Sequence, residues 1–129
     1  MKKLLPILLA MLVLTACGQK KENNQEAVYM NITAQEAKQI MDTQEDYIIL
    51  DTRTQAEYDE GHIPGAIVIS HEEIKEKAES VLKDKNQLIL VYCRSGRRSK
   101  LASEDLVELG YTNIKEFGGI LDWPYEIEK

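Results

Sequence analysis

Seven consecutive residues, Cys93-Arg94-Ser95-Gly96-Arg97-Arg98-Ser99, combine a nucleophile with three permanent positive charges. A thiol of ordinary pKa, near 8.5, is only about 3% thiolate at pH 7, so a cysteine that reacts needs its charged form favoured. Arginine side chains, loop amides and a helix N-terminus all favour it, the last by roughly 1 kcal/mol. Three arginines and a glycine within five residues of Cys93 therefore mark it as a candidate nucleophile meeting an anionic substrate. His62 invites a second idea, a Cys-His dyad, but it stands in Gly61-His-Ile-Pro-Gly65, a turn sequence beside Pro64 and Gly65. No Cys/His spacing fits a metal, and none is expected as ligand or cofactor.

The elements that must position these groups are legible in the apolar pattern. Leu88 to Tyr92 is an unbroken apolar run, the pattern of a strand buried on both faces of a parallel sheet, and it stops at Cys93. From Ser99 the spacing becomes helical, with Ala102, Leu106 and Leu109 on one stripe and Gly110 as the C′ residue. Upstream, Val28 to Ile32 reads as a strand, and Thr33-Ala-Gln-Glu36 as a capping box opening a helix to about Met41. Tyr47 to Leu50 is a second strand ending in Asp51. Thr54-Gln-Ala-Glu57 repeats the capping box, with Gly61 ending a short helix. Ala66 to Ile69 reads as a third strand. Ser70-His-Glu-Glu73 is another capping box, with His71 exposed, and it opens a helix with Ile74, Ala78, Val81 and Leu82 buried. Ile114 to Phe117 reads as the last strand, Gly118-Gly119 as a turn, and Leu121 to Ile127 as a terminal helical turn, with Phe117 and Trp123 packing the domain. Strands and helices alternate, so the fold class is α/β, a central, mostly parallel five-stranded sheet flanked by helices on both faces. Ligands of such sheets sit at the carboxyl ends of strands, where Asp51 and Cys93 fall.

Composition bounds the rest. With 129 residues, 43% apolar and 29% charged, there is room for one globular domain. Lys2 and Lys3 precede an apolar run, Leu4 to Leu14, too short to span a bilayer, which reads as a secretion signal. Leu14-Thr15-Ala16-Cys17 resembles the lipobox of bacterial lipoproteins. That resemblance implies cleavage after residue 16, acylation of Cys17 with fatty acids such as palmitate, and a domain held outside the cytoplasm on the cell membrane. Residues 17–27 then form a polar tether and residues 28–129 the domain. Losing residues 1–16 removes two lysines and no acid, taking the net charge from −6 to −8. So acidic a chain does not suit nucleic acid, and its membrane contact would be the lipid. Cys93 would be the sole thiol left free, with no disulfide partner. No feature names a protein partner or an oligomeric state.

Three segments, Asp51-Thr-Arg-Thr-Gln-Ala-Glu-Tyr-Asp-Glu-Gly-His-Ile-Pro-Gly-Ala-Ile-Val-Ile69, Cys93 to Ser99, and Phe117-Gly-Gly-Ile-Leu-Asp-Trp123, resemble the rhodanese family of sulfurtransferases in order and spacing. The resemblance runs from about Val28 to the end. It implies that Cys93 is the catalytic cysteine and carries a persulfide, with Gly96 allowing the loop to turn tightly and Arg98 closing it. Arg94, Ser95, Arg97 and Ser99 complete a substrate-binding loop. Asp51 and Arg53 are implied as structural support with Arg98 a candidate partner, and His62 as a turn-fixing residue. The activity implied moves sulfane sulfur from a small anionic donor, such as thiosulfate or a polysulfide, to a thiol or cyanide, without a cofactor. Two rivals remain. One is a sulfur- or redox-sensing binding module. The other is a Cys-dependent phosphatase, although such loops carry Arg six residues after Cys, where this chain has Ser99.

Overall fold

The computed structural model describes residues 28–129. The secretion signal, Cys17 and the tether expected in residues 1–27 lie outside the described residues. In chain order come β1 (Met30–Asn31), α1 (Ala34–Thr43), β2 (Tyr47–Asp51), α2 (Gln55–Glu60) and β3 (Ile67–Val68), then α3 (Ile74–Val81), β4 (Leu88–Cys93), α4 (Arg97–Glu108) and β5 (Ile114–Gly119). Short 3₁₀ turns occupy His71–Glu73 and Ile120–Asp122. The sheet order is β1-β5-β4-β2-β3 and every strand pair is parallel.

β4 lies at the centre, and all six of its residues are buried, which is why its sequence shows no polar alternation. Its side chains divide between two cores. Ile89 and Val91 join Leu50 and Ile114 beneath Ile74, Ala78 and Leu82 and beneath Ala102 and Leu106 of α4. Leu88, Leu90 and Tyr92 join Ile49, Phe117 and Trp123 on the other face, beneath Ala37, Ile40 and Met41 of α1 and Tyr58 of α2. The period of two along β4 is thus spent on two layers of helices. Both N-terminal capping boxes form: Thr33 and Thr54 each accept from the N3 amide, while Glu36 and Glu57 reach back to the cap amide.

Several expectations are corrected. β1 and β3 keep only two residues each. Ser70 opens no capping box: its Oγ accepts from Glu72 N at 3.4 Å, and α3 begins at Ile74 without a side-chain cap. The cause is His71 N, which donates to Thr52 O at 3.0 Å and ties the turn to the end of β2. His71 is half-buried, with Nδ1 enclosed and unpartnered, rather than exposed. Val81 leaves the predicted stripe and is 48% exposed, because the backbone departs from helical geometry at Leu82, which takes the core position. α4 begins at Arg97, two residues before the helical spacing becomes visible at Ser99. Gly118 and Gly119 continue β5 rather than turning the chain. The chain end forms a 3₁₀ turn and a bridge between Glu128 and His62, not a helical turn through Ile127.

Candidate active site

The site is built where β4 gives way to α4. Only Arg94, Ser95 and Gly96 separate strand from helix. Gly96 reverses the chain with φ +110°, the left-handed region that costs a residue bearing Cβ, and it serves as the N-cap of α4. Its N–H donates to Cys93 Sγ at 3.0 Å. The first bond of the helix runs from Lys100 N to Gly96 O, so the amides of Arg97, Arg98 and Ser99 have no intrahelical acceptor and leave positive potential around the loop. The thiol is buried at 1% exposure, held against this helix end. The loop also lies flat on β5: Cys93 pairs with Gly119, and Leu121 N donates to Arg94 O at 3.1 Å. A Cβ on Gly119 would fall 2.0 Å from Arg94 O and 2.4 Å from its carbonyl carbon, so glycine is the residue that lets strand and loop approach this closely.

The three arginines of the loop have different fates. Arg98 is held bidentate by Glu57, with Nη1 to Oε1 at 2.8 Å and Nη2 to Oε2 at 3.0 Å. The same Glu57 caps α2, so one carboxylate links the start of α2 to the first turn of α4. Arg98 chiefly, then the cap contacts, hold the Glu57 carboxyl down to about 2. In return Glu57 first, and the Cys93 sulfur after it, keep the Arg98 guanidinium more firmly protonated than a free one. Arg94 and Arg97 are exposed, and neither forms a salt bridge among the described residues.

Asp51 does not pair with Arg98, as the sequence had suggested. It pairs with Arg53, whose Nη2 lies 2.7 Å from Oδ2, while Arg53 Nη2 also donates to Gly61 O at 2.7 Å. Burial works against the Arg53 charge, and the Asp51 hydrogen bond and charge more than offset it, so its proton is bound more tightly. Tyr92 completes the group, donating to Asp51 Oδ2 at 2.7 Å and accepting from Ile63 N at 3.1 Å. Burial, then the Asp51 charge, push the Tyr92 hydroxyl well above its ordinary range, so it remains a donor. This cluster anchors the chain after β2 beneath the site.

His62 is far from a dyad geometry: its ring stacks on Tyr58 at 3.8 Å, Nδ1 donates to Tyr58 O at 2.9 Å, and Nε2 lies 3.5 Å from Glu128. Ser95 is exposed at the loop tip. Ser99 turns its hydroxyl into the interior, where it donates to Glu116 Oε2. Glu116 is buried and also accepts from Gly118 N at 3.0 Å, with Lys100 Nζ 3.6 Å away. Ser99, expected in the substrate-binding loop, thus joins α4 to β5, its buried hydroxyl engaged by Glu116.

A sequence profile for the rhodanese-like domain matches residues 33–125. The chain belongs to the rhodanese-like family. Thiosulfate sulfurtransferase PspE of Escherichia coli (strain K12) is 41% identical over 73 residues, spanning 57% of this chain and 70% of that one. Thiosulfate sulfurtransferase GlpE of Coxiella burnetii (strain RSA 331 / Henzerling II) is 33% identical over 97 residues, 74% of this chain and 88% of that one. Among solved structures, a rhodanese with anions from E. coli superposes with a TM-score of 0.60 at 37% identity, covering 64% of this chain and 98% of that one. The chemistry of these relatives, by name, is sulfur transfer. Within this rhodanese-like domain, Glu57, Tyr92, Glu116 and Gly119 escaped the sequence reading. In sequence Glu57 shows only as a helix cap and Tyr92 only as a core strand residue; in the fold Glu57 also holds Arg98, and Tyr92 also holds Asp51. Glu116 sits in an apolar strand pattern, and a lone charge there was the available signal.

Proposed function

We propose that the domain is a sulfurtransferase in which Cys93 is the catalytic residue. The observation that carries this is the buried Cys93 sulfur accepting the Gly96 N–H at the start of α4, with Arg94 and Arg97 exposed at the loop rim and in no salt bridge among the described residues. The names of the relatives support thiosulfate as donor, and a related rhodanese from E. coli is described with anions. The Cys93 thiolate attacks the outer sulfur of thiosulfate. A bond forms between Cys93 Sγ and that sulfur, the S–S bond of thiosulfate breaks, and sulfite leaves with the bonding pair. The resulting persulfide is stabilised by loop amides and arginine charge. A thiolate or cyanide then takes the outer sulfur and returns Cys93 as thiolate. Arg98, fixed by Glu57, supplies charge beside the sulfur, and Arg94 and Arg97 receive the donor.

Mass spectrometry of the protein exposed to thiosulfate tests this: Cys93 gains one sulfur and Cys93→Ser gains none. Hydrolysis of phosphate esters without any sulfur gain would overturn it in favour of a phosphatase. We further propose export and acylation at Cys17, supported by the Leu14-Thr15-Ala16-Cys17 segment. Labelled palmitate should enter the wild type and not Cys17→Ser, and equal labelling of both would overturn the anchor.

A further inference from the structure

Beside the Cys93 loop, on the side of Arg94, lies a cavity of about 320 Å³. Four charged side chains line it: Arg53, Glu57, Glu60 and Arg94. Two of these are already neutralised from outside the cavity, Arg53 by Asp51 and Glu57 by Arg98. The other two, Arg94 and Glu60, are exposed, opposite in sign, and make no salt bridge with each other or with any described residue. The rest of the lining is Gly61 and the apolar side chains of Ile120, Leu121 and Ile127, the last two 61% and 50% exposed. Leu121 is clamped to the reactive loop by its hydrogen bond to Arg94 O, so the cavity opens directly beside the residue that follows Cys93.

Opposite charges that share a cavity without closing on one another leave a gap for a ligand that carries both. From this arrangement we propose that the sulfur acceptor is a small amino-acid-type thiol, its carboxylate on Arg94, its ammonium on Glu60 and its methylene against the Ile120–Leu121 wall. The assignment rests on the sulfur-transfer reading above. The acceptor thiol loses its proton to solvent, its thiolate attacks the outer sulfur of the Cys93 persulfide, the persulfide S–S bond breaks, and Cys93 leaves as thiolate. The product is the acceptor's persulfide, and no net oxidant or reductant is needed.

The full chain, loaded with thiosulfate and freed of excess donor, is discharged with cysteine, cysteamine, N-acetylcysteine or 2-mercaptoethanol, with rates normalised to thiolate concentration. Cysteine should be preferred about fivefold over cysteamine, which lacks the carboxylate, and about fivefold over N-acetylcysteine, which lacks the ammonium, the scale of one exposed charge pair each. Arg94→Gln should abolish the preference over cysteamine and keep that over N-acetylcysteine, and Glu60→Gln should do the reverse. Because each variant is read as a ratio between thiols, a general loss of activity does not imitate the result. Normal loading followed by discharge that is equal for all four thiols would overturn the acceptor assignment alone. Failure of Cys93 to load from any sulfane donor would overturn the sulfur-transfer reading and this assignment with it.

Discussion

The Tyr92 hydroxyl shows how single atoms support the site from beneath. It donates to Asp51 and accepts from Ile63 N, so both of its hydrogen-bonding roles are used in the interior. Tyr92→Phe keeps the ring against Phe117, leaves the buried Ile63 amide without its acceptor, and removes one hydrogen bond from Asp51 Oδ2, which keeps those from Arg53. The expected cost is about 1–3 kcal/mol of unfolding free energy. Urea denaturation measures it, and an unchanged midpoint would mean that Asp51 and Ile63 find other partners.

At the scale of elements, the contact between β5 and the reactive loop sets the geometry of the sulfur. Gly119→Ala places a methyl within van der Waals overlap of the Arg94 backbone, which a side-chain rotation cannot relieve. The loop must move by an ångström or more, and misplacement of that size costs about a hundredfold in rate. Under the proposed activity, sulfur transfer from thiosulfate should fall by that order, while the stability loss stays within the roughly 1–3 kcal/mol typical of overpacking. Activity retained near wild type would show that the loop tolerates displacement. The end of α3 offers a contrasting case. Val81 faces solvent where the helical stripe places it inward, so Val81→Lys should alter stability by no more than about 0.5 kcal/mol, as judged by thermal unfolding.

For the molecule as a whole, the Glu57–Arg98 pair links stability to pH by joining α2 to α4. The carboxyl titrates at about 2 in the folded chain, below its ordinary value of 4.5. A depressed carboxyl contributes stability that is fully present above the unfolded value and disappears as pH falls through the folded one. The pair should therefore contribute at neutral pH and fade between about 4.5 and about 2. Glu57→Gln retains an acceptor for the capping box and removes the charge. Since both partners are partly exposed and screened by salt, the variant should lose about 1 kcal/mol near neutral pH. Urea unfolding across the acidic range should show the two proteins converging toward pH 2, and a constant difference would place the effect in the cap rather than in the ion pair.

The chain's own pattern determined the parallel α/β sheet, because Leu88–Tyr92 is the short, partly β-branched apolar run of a strand buried on both faces and strands alternate with helices around it, and Thr33, Thr54 and Gly96 carry local instructions that depend on neighbours one to three residues away. It also marked Cys93 and its arginines, since nucleophile, charge and glycine crowd into one short loop. Tertiary structure decided the partners. Whether Arg98 meets Asp51 or Glu57, whether Ser99 faces a substrate or Glu116, and which charges of the cavity stay unpaired are all matters of contacts between residues tens of positions apart. A one-dimensional pattern records the period of burial but not which side chain arrives opposite which.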